Sequence, residues 1–433
     1  MSIAVEVAEP RGTQAGRGAP VTPRVIAAGA LGNLLEWYDF AAYGFLASIF
    51  ARNFFPASDA FVGLISAFGI FAASFLMRPL GAIIFGHIGD RYGRRLALYI
   101  SAGVMTVSTV VIGLLPTYVQ IGALAPVLLL VLRLLQGVSI GGEYTTAAIF
   151  LGESTHPKRR GLITSFASMG GTGGTLLGSA VAALTASLLT SEQLVEWGWR
   201  IPFLLGVILG GFTLFLRTGL DDAPTAPHAG SGAPLVEAFR VEWRNILRAI
   251  ALNAMLGAGF YLIFVYLTTY MHQIDGMPER QALQVNTVSM LALLVFVFLF
   301  SSFTDLVGRK VVVVAGLAGL VLFSWPLFHL IASGDPMRAQ LGQLGFALLI
   351  GAYAGPMPIL LVEMFEHRTR CSALSVSYNI SLGLAGGTAP MVAAYLINRT
   401  HDDMAPAYYL TALAVISLVA ALTMTDRTGR PLS

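Results

Sequence analysis

Asp90-Arg91-Tyr92-Gly93-Arg94-Arg95 recurs 215 positions later as Asp305-Leu306-Val307-Gly308-Arg309-Lys310 in a chain of 433 residues. The two halves of the chain therefore carry the same charged loop at corresponding positions. An internal repeat of this kind indicates two related bundles, and paired bundles in a membrane let one site near the bilayer midplane face each side in turn. The repeat thus favours a duplicated membrane bundle with a transport function.

The composition agrees with a membrane location, because 56% of the residues are hydrophobic and only 11% are charged. A helix needs roughly 20 apolar residues to cross about 30 Å of hydrocarbon. Runs of that kind lie at 25–50, 62–85, 96–115, 122–151, 162–188, 200–218, 245–271, 283–303, 311–333, 339–362, 372–397 and 405–425. The sequence therefore predicts an all-α membrane protein with twelve transmembrane helices in two pseudo-symmetric six-helix bundles.

The distribution of charge and of Pro and Gly predicts how the chain is divided. Residues 1–24 read as a disordered cytoplasmic tail, 25–219 as the N-terminal bundle, 220–244 as a cytoplasmic linker, 245–425 as the C-terminal bundle and 426–433 as a second cytoplasmic tail. Lys and Arg are concentrated before the first span and in the even-to-odd connections, which places both termini in the cytoplasm. This asymmetry accounts for the net charge of +3 without a nucleic-acid partner.

Four stretches carry a resemblance to a known family. Residues 86–95 resemble the signature loop between the second and third helices of the major facilitator superfamily. Residues 32–40, 133–144 and 197–203 resemble the metabolite:proton symporter branch of that superfamily. Members of this branch carry α-ketoglutarate, citrate, shikimate, or proline and betaine. The resemblance runs from about Val25 to Thr425 and implies proton symport of a small polar metabolite across a bacterial inner membrane.

Ionisable residues within the predicted spans are the main candidates for the mechanism, since each costs about 2.5–3.5 kcal/mol on insertion scales and must be paired or hydrated. We expect Glu36, Asp39 and Glu143 to be the candidates for proton coupling. Arg78 and Arg133, with the nearby Gln136, are candidates for holding a substrate carboxylate. The alternative is that these charges only neutralise one another and tie helices together.

Candidates in the second half are uncharged. Asn253, Tyr261, Tyr353 and Asn379 lie within predicted spans, where they could shape a pocket around the substrate. Aromatic and amide side chains are also common in ordinary helix packing. The charge in the first half predicts that the first bundle holds the ionic part of the substrate and the proton.

Charged residues of the repeated loops predict a gate at the cytoplasmic surface. Glu153 precedes Arg160 by seven positions, and Glu363 precedes Arg370 by the same distance. We expect each such pair to contact the Asp and Arg of the loop in its own half when the inner ends close. The predicted gate residues are Asp90, Arg94, Glu153, Arg160, Asp305, Arg309, Glu363 and Arg370.

Rival classes of protein lack their expected motifs. The chain has neither a phosphate-binding loop nor an H-E-x-x-H zinc motif, so we expect no nucleotide-driven pump, no intramembrane enzyme, no metal and no cofactor. The arginines favour an organic acid such as a di- or tricarboxylate as the substrate. A proline- or betaine-type zwitterion is the alternative, since the acids suit a cationic group. The expected partners are this metabolite, protons and the lipid bilayer, and we expect a monomer.

Overall fold

The computed structural model describes residues 34–55, 60–92, 94–140, 143–217, 234–430 and 432. The predicted tail at 1–24 and the first part of the predicted linker lie outside these residues. The side chains of Asp90, Arg94 and Glu143, three of the predicted functional residues, also lie outside the described part.

Twelve successive helices, some of them interrupted, make up the described residues, and each half of the chain contributes six. Those of the first half are α1 (Leu34–Phe45 and Ala47–Phe54), α2 (Ala60–Leu76 and Arg78–Tyr92), α3 (Arg94–Leu114), α4 (Leu124–Ser139 and Glu143–Ser154), α5 (Arg160–Leu188) and α6 (Arg200–Arg217). Those of the second half are α7 (Pro234–Tyr261, Leu262–Tyr266 and Leu267–Gln273), α8 (Glu279–Val307), α9 (Arg309–Ile331), α10 (Pro336–Ala354 and Met357–Met364), α11 (Arg370–Ser381, Leu382–Gly386 and Ala389–Thr400) and α12 (Ala405–Leu422).

Length and composition identify most of these helices as membrane spans. Within the described residues, nine helices are long and apolar enough to cross a bilayer, or ten if Ser191–Gly198 and Arg200–Phe215, which are bent by 52°, form one span. Helix α5 does not meet this criterion although it has 29 residues. It is rich in Gly, Ser and Thr and packs between α1 and α8, so it can be less apolar than a helix that faces lipid.

Packing divides the helices into an inner and an outer set. Helix α3 packs on α6, and α9 packs on α12. These four helices carry many of the exposed large apolar side chains, including Val107, Ile208, Phe323 and Val419, as expected of a lipid-facing surface. The two halves meet through α1, α2, α4 and α5 on one side and α7, α8, α10 and α11 on the other.

Small residues let the two halves and their helices approach closely. A Cβ atom on Gly174 of α5 would lie 2.5 Å from the backbone oxygen of Leu34 in α1. A Cβ atom on Gly387, which follows the middle segment of α11, would lie 2.5 Å from Cβ of Phe75 in α2. These two glycines therefore allow close helix packing, of α5 on α1 within the first half and of α11 on α2 between the halves.

Three helices of the second half are interrupted. Helices α7 and α11 each contain a π-helical segment, Leu262–Tyr266 and Leu382–Gly386. Helix α10 is broken before Met357, where Pro356 and Pro358 cannot donate backbone hydrogen bonds. Such breaks widen or redirect a helix and are frequent at functional sites. Helix α7 itself begins at Pro234, so the end of the segment that the sequence predicted as a linker is helical.

Candidate functional site

A cavity lies between the two halves near the middle of the bundle. Its lining comes from both halves, with α7 contributing the largest share. The lining residues are Trp37, Tyr144, Ser168, Thr172, Asn253, Leu256, Gly257, Phe260, Tyr261, Ala354, Tyr378 and Leu382. None of these described residues carries a charge, and five of them are aromatic.

The aromatic rings of the cavity are arranged in contact with one another. Trp37 stacks on Tyr261, with ring centroids 6.1 Å apart and planes 4° from parallel. Phe260 meets Trp37 edge to face at 5.8 Å. Tyr144 of the first half stacks on Tyr378 of the second at 4.5 Å. The rings therefore contact one another around the cavity and connect the halves across it.

An ion pair lies beside this cavity. Arg78, at the start of the second segment of α2, contacts Glu36 of α1 with 3.0 Å between Nη1 and Oε1. Its Nε donates a hydrogen bond of 3.3 Å to Oδ1 of Asn379 in α11. Arg78 and Glu36 lie close to Tyr261 and Tyr378, two residues of the cavity lining. This pair thus joins the first half to the second at the edge of the cavity.

A second ion pair is enclosed within the first half. Arg133 of α4 contacts Asp39 of α1 with 2.6 Å between Nη1 and Oδ2, and both side chains are fully buried. The same Nη1 donates to Gln136, whose amide donates to Thr109 of α3. Arg133 also lies over the ring of Tyr43 at 4.2 Å. The pair is therefore shielded from the cavity by aromatic side chains and polar partners of its own half.

Three atoms of this enclosed pair lack a hydrogen bond among the described residues. They are Oδ1 of Asp39 and both Nε and Nη2 of Arg133. A buried ion pair is costly to desolvate, and leaving some of its atoms unsatisfied adds to that cost. The arrangement is therefore sensitive to any change in the charge of Asp39.

The remaining predicted pocket residues fall into different places. Tyr261 and Asn253 line the cavity. Asn379 is not among the lining residues, but it accepts a hydrogen bond from Arg78 beside the cavity. Tyr353 does not line it, because its hydroxyl donates to the backbone oxygen of Leu252 between α10 and α7. Gln136 also lies away from the cavity, with Arg133.

Six of the predicted gate residues come together at one end of the molecule, which we call the gate end. They form a cluster, termed here the gate cluster, of Glu153, Arg160, Asp305, Arg309, Glu363 and Arg370. Arg370 contacts Glu153 at 2.5 Å, and Arg309 contacts Glu363 at 3.1 Å. Arg160 and Glu363 are 3.9 Å apart.

Several contacts of the gate cluster, including that of Arg160 with Glu363, cross between the halves, whereas the expected contacts lay inside each half. Glu153 pairs with Arg370 of the other half, and Asp305 accepts hydrogen bonds from the backbone N–H groups of Gly161 and Leu162 in α5, at 2.9 and 3.1 Å. The repeat predicted contacts inside each half, as Arg309 and Glu363 do make. The two halves are in contact at the gate end, so an acid of one half can pair with an arginine of the other, as Glu153 does with Arg370. Asp305 there caps the N-terminus of α5.

The two halves also contact each other at the opposite end of the bundle. Ser179 of α5 contacts Thr287 of α8 at 2.7 Å and accepts a hydrogen bond from Asn286 at 3.2 Å. Ser48 of α1 donates to Glu279 at the start of α8, at 3.4 Å. These contacts join the two halves on this side of the central cavity, as the gate cluster joins them on the other.

Of the five aromatic residues that line the cavity, only Tyr261 was predicted from the sequence. Trp37 lies between Glu36 and Asp39 in the sequence, and Tyr378 precedes Asn379, so both neighbour residues that were singled out. Phe260 likewise precedes Tyr261. The only available signal was this adjacency, because aromatic residues are as common in lipid-facing and packed positions as in pockets.

Comparisons with known proteins agree with the architecture. The family model of sugar (and other) transporters matches residues 25–225 and 229–433. The proline/betaine transporter of Salmonella typhimurium is 36% identical over 94% of this chain and 84% of its own length. The glycine betaine/proline/ectoine/pipecolic acid transporter of Dickeya dadantii is also 36% identical, with the same shares covered.

Solved structures show the same fold. The major facilitator superfamily proton:xylose symporter XylE, bound to 6-bromo-6-deoxy-D-glucose, matches with a TM-score of 0.76 at 17% identity, covering 94% of this chain and 97% of that one. The inward open conformation of XylE from E. coli matches with a TM-score of 0.73 at 18% identity, with the same coverage. The chain therefore has the major facilitator fold, as the sequence predicted.

Proposed function

The chain belongs to the family of sugar (and other) transporters, and from this premise we propose that it carries a betaine- or proline-type zwitterion together with protons. The observation that carries the proposal is the aromatic cavity beside the Glu36–Arg78 pair. Transport proceeds by alternating access across the bacterial inner membrane, with both termini in the cytoplasm and a monomer as the working unit. The substrate crosses the membrane without chemical change.

The aromatic lining suits a quaternary ammonium group. Such a group has no N–H to donate, so hydrogen-bond acceptors cannot hold it as they hold an ordinary ammonium. Aromatic faces attract it through their quadrupoles, at about 0.5–2 kcal/mol for each favourable ring. Trp37, Tyr144, Phe260, Tyr261 and Tyr378 offer such faces from both halves.

The Glu36–Arg78 pair supplies the complementary charge for a carboxylate. A planar guanidinium can bind a carboxylate through two parallel hydrogen bonds. We infer that the substrate carboxylate competes with Glu36 for Arg78 while the ammonium enters the aromatic cavity. Because Arg78 also holds Asn379 of the second half, substrate binding then acts on the interface between the halves.

This assignment replaces the organic acid that the arginines first suggested. A di- or tricarboxylate needs two or three cationic partners, and the described lining of the cavity contains none. Arg133 is fully buried with Asp39 and so is committed elsewhere. The relatives that are named as proline and betaine transporters also favour the zwitterion.

Asp39 is the proposed proton carrier. When it is ionised it ties α1 to α4 through Arg133; when it is protonated that ion pair is lost and α1 is released. The two protonation states therefore favour different arrangements of α1, which also carries Trp37 and Glu36. A proton can bias an alternating-access equilibrium only through such a difference between states.

Transport in proteoliposomes tests the substrate and the driving ion together. We expect an inward proton gradient to accelerate uptake of betaine or proline, and a sodium gradient to have no such effect. Citrate and α-ketoglutarate should neither be accumulated nor compete. Accumulation of citrate without betaine uptake would overturn the proposed substrate, and acceleration by sodium alone would overturn the proposed ion.

A tryptophan variant tests the role of the cavity. Trp37→Leu should weaken betaine binding by about tenfold, since one stacking face is lost. The matched control is Trp325→Leu, because Trp325 is 47% exposed on α9, stacks on His329 and is not part of the cavity lining given above. Binding is measured by titration calorimetry on both purified variants. An equal loss of betaine affinity in both variants would show that the cavity does not bind the substrate.

A further inference from the structure

The segment that follows α12, residues 423–430, lies against the gate cluster. It is described together with the helices that it contacts and makes side-chain and backbone hydrogen bonds to them. We call these residues the tail clasp. Its last part, residues 426–430, lies in the segment predicted from the sequence as a cytoplasmic tail, and none of its residues takes part in the proposed binding of substrate or proton.

The tail clasp supplies the N-terminal cap of α9. Helix α9 follows Gly308, whose φ of 103° requires glycine and which has no side chain to cap the helix. The first backbone N–H groups of any helix have no partner within the helix. Here Thr428 Oγ1 accepts from the N–H of Arg309 at 3.0 Å, and Asp426 Oδ2 accepts from that of Lys310 at 3.3 Å.

Further contacts hold the clasp in this position. Nζ of Lys310 donates to the backbone oxygens of Leu422 and Met424, at 2.8 and 2.6 Å. The backbone N–H of Thr428 donates to Asp426 Oδ1 at 2.8 Å, which orders the two capping side chains relative to each other. The negative charge of Asp426 is also favourable at the positive end of the helix dipole.

The clasp contacts both halves of the protein. Nη1 of Arg427 donates to the backbone oxygen of Glu363 at 3.0 Å, in the second half. Nη1 of Arg160, in the first half, donates to the backbone oxygen of Arg430 at 3.2 Å. Arg160 and Glu363 are both members of the gate cluster, so the clasp spans the interface that opens when the gate end separates.

Asp426 remains ionised under ordinary conditions. Partial burial raises its pKa, but hydrogen bonds from Thr428 and from the backbone of Lys310, together with the charge of Arg309, outweigh burial and hold the pKa below the usual range. The cap is therefore present throughout the pH range in which a proton-coupled transporter works.

We propose that Asp426 and Thr428 are positioning residues of the transport cycle, which fix the start of α9 so that Arg309 can pair with Glu363 and Asp305. Arg309 is almost fully buried, and its guanidinium contacts these carboxylates at 3.1 and 3.4 Å. A shift in the first turn of α9 breaks both contacts. Because Asp305 also caps α5 of the first half, the clasp stabilises the closed gate end as a whole.

Cysteine accessibility tests this proposal without requiring a substrate. The parent is Cys371→Ser, since Cys371 is exposed and is the only cysteine. Ile359→Cys reports the gate end, because Ile359 is fully buried and faces Gly152 across the interface between the halves. Val265→Cys reports the opposite end, where Val265 packs on Gly44 of α1. The probe is N-ethylmaleimide, and its rate of reaction is measured in membranes.

We expect Asp426→Asn to raise the alkylation rate of Ile359→Cys about tenfold, as expected for loss of a hydrogen bond to a charged group. Thr428→Val should act in the same direction by a few fold. The matched control is Asp335→Asn, since Asp335 caps α10 at the opposite end by accepting from Met337 and Arg338. It removes the same negative charge from a capping side chain at a helix N-terminus without touching the gate cluster, so the Ile359→Cys rate should stay within about twofold of the parent.

Two results would overturn the proposal. One is an unchanged Ile359→Cys rate in both Asp426→Asn and Thr428→Val. The other is an equal rise in Asp335→Asn, or a rise at Val265→Cys together with Ile359→Cys, since either pattern indicates general loosening. Because the readout is accessibility, failure here leaves the substrate assignment untouched, and failure of betaine transport leaves this test valid.

Discussion

The two ion pairs of α1 have similar chemistry but different surroundings. Asp39 and Arg133 are both fully buried within the first half. Glu36 and Arg78 retain side-chain exposures of 11% and 3% beside the central cavity, and Arg78 also binds Asn379 of the second half. Two carboxylates three residues apart therefore face different environments. From this contrast we infer that the sealed pair suits a proton and the bordering pair suits a substrate.

Asp39→Asn should have the largest effect. A neutral isostere resembles the protonated carboxyl but cannot release a proton, so betaine accumulation driven by a proton gradient should be abolished. Counterflow, which needs no net proton movement, should be partly retained. Both rates are measured in proteoliposomes. The comparison of the two pairs fails if counterflow disappears to the same extent as accumulation, because Asp39 would then bind substrate or hold the fold together.

Arg78→Lys should weaken betaine binding by about tenfold to a hundredfold, because the planar pair of hydrogen bonds to a carboxylate is lost while the charge remains. The dissociation constant is measured by titration calorimetry. Arg200→Lys is the control, since Arg200 donates only to the backbone oxygens of Gly113 and Leu115 among the described residues, at 3.0 and 2.6 Å. If Arg78→Lys left betaine affinity unchanged but abolished the proton dependence of transport, the Glu36–Arg78 pair would serve the proton and the Asp39–Arg133 pair the substrate.

Asn379→Leu should have a smaller effect on the same pair. Arg78 loses its partner in the second half but keeps Glu36, so betaine affinity should fall about fivefold, in line with about 1 kcal/mol for one hydrogen bond. The number of protons moved per substrate should not change. Titration calorimetry measures the betaine affinity, and transport in proteoliposomes measures the ratio of protons to betaine. A larger loss than in Arg78→Lys would show that Asn379 contacts the substrate itself.

Asp275 provides a contrast outside both pairs, in the loop between α7 and α8. Burial, with the nearby charge of Asp403, raises its pKa from 3.8 to about 7. The folded protein thus binds this proton more tightly than the unfolded chain, so its contribution to stability is full below pH 3.8 and is lost as the pH rises to about 7. Asp275→Asn should flatten the pH dependence of the thermal midpoint over that interval and leave proton coupling intact. Lost coupling would place a third carboxylate in the mechanism.

Much of the fold follows from the sequence, because its signals are local or repeated. The loop at Asp90 and its copy at Asp305 predicted two related halves, and apolar runs predicted the helices closely. Helix α7 is the main difference at a boundary, since it extends back to Pro234. Propensity and hydropathy do not distinguish a surface helix from the start of a span when the two are continuous.

The site could be predicted only in part. Membrane energetics singled out Glu36, Asp39, Arg78 and Arg133, and the structure brings them together as two pairs. Spacing along one helix could not assign each acid to its arginine, because that depends on how α2 and α4 pack on α1. For the same reason the partner of Glu153 across the halves and the aromatic walls of the cavity required three-dimensional packing.

The pH inside proteoliposomes during betaine addition tests the central claim most directly. With an internal pH dye and no imposed gradient, adding betaine outside should acidify the interior for the native protein. Asp39→Asn should give no acidification although it still binds betaine. Acidification by Asp39→Asn equal to that of the native protein would contradict the assignment of the sealed pair to the proton.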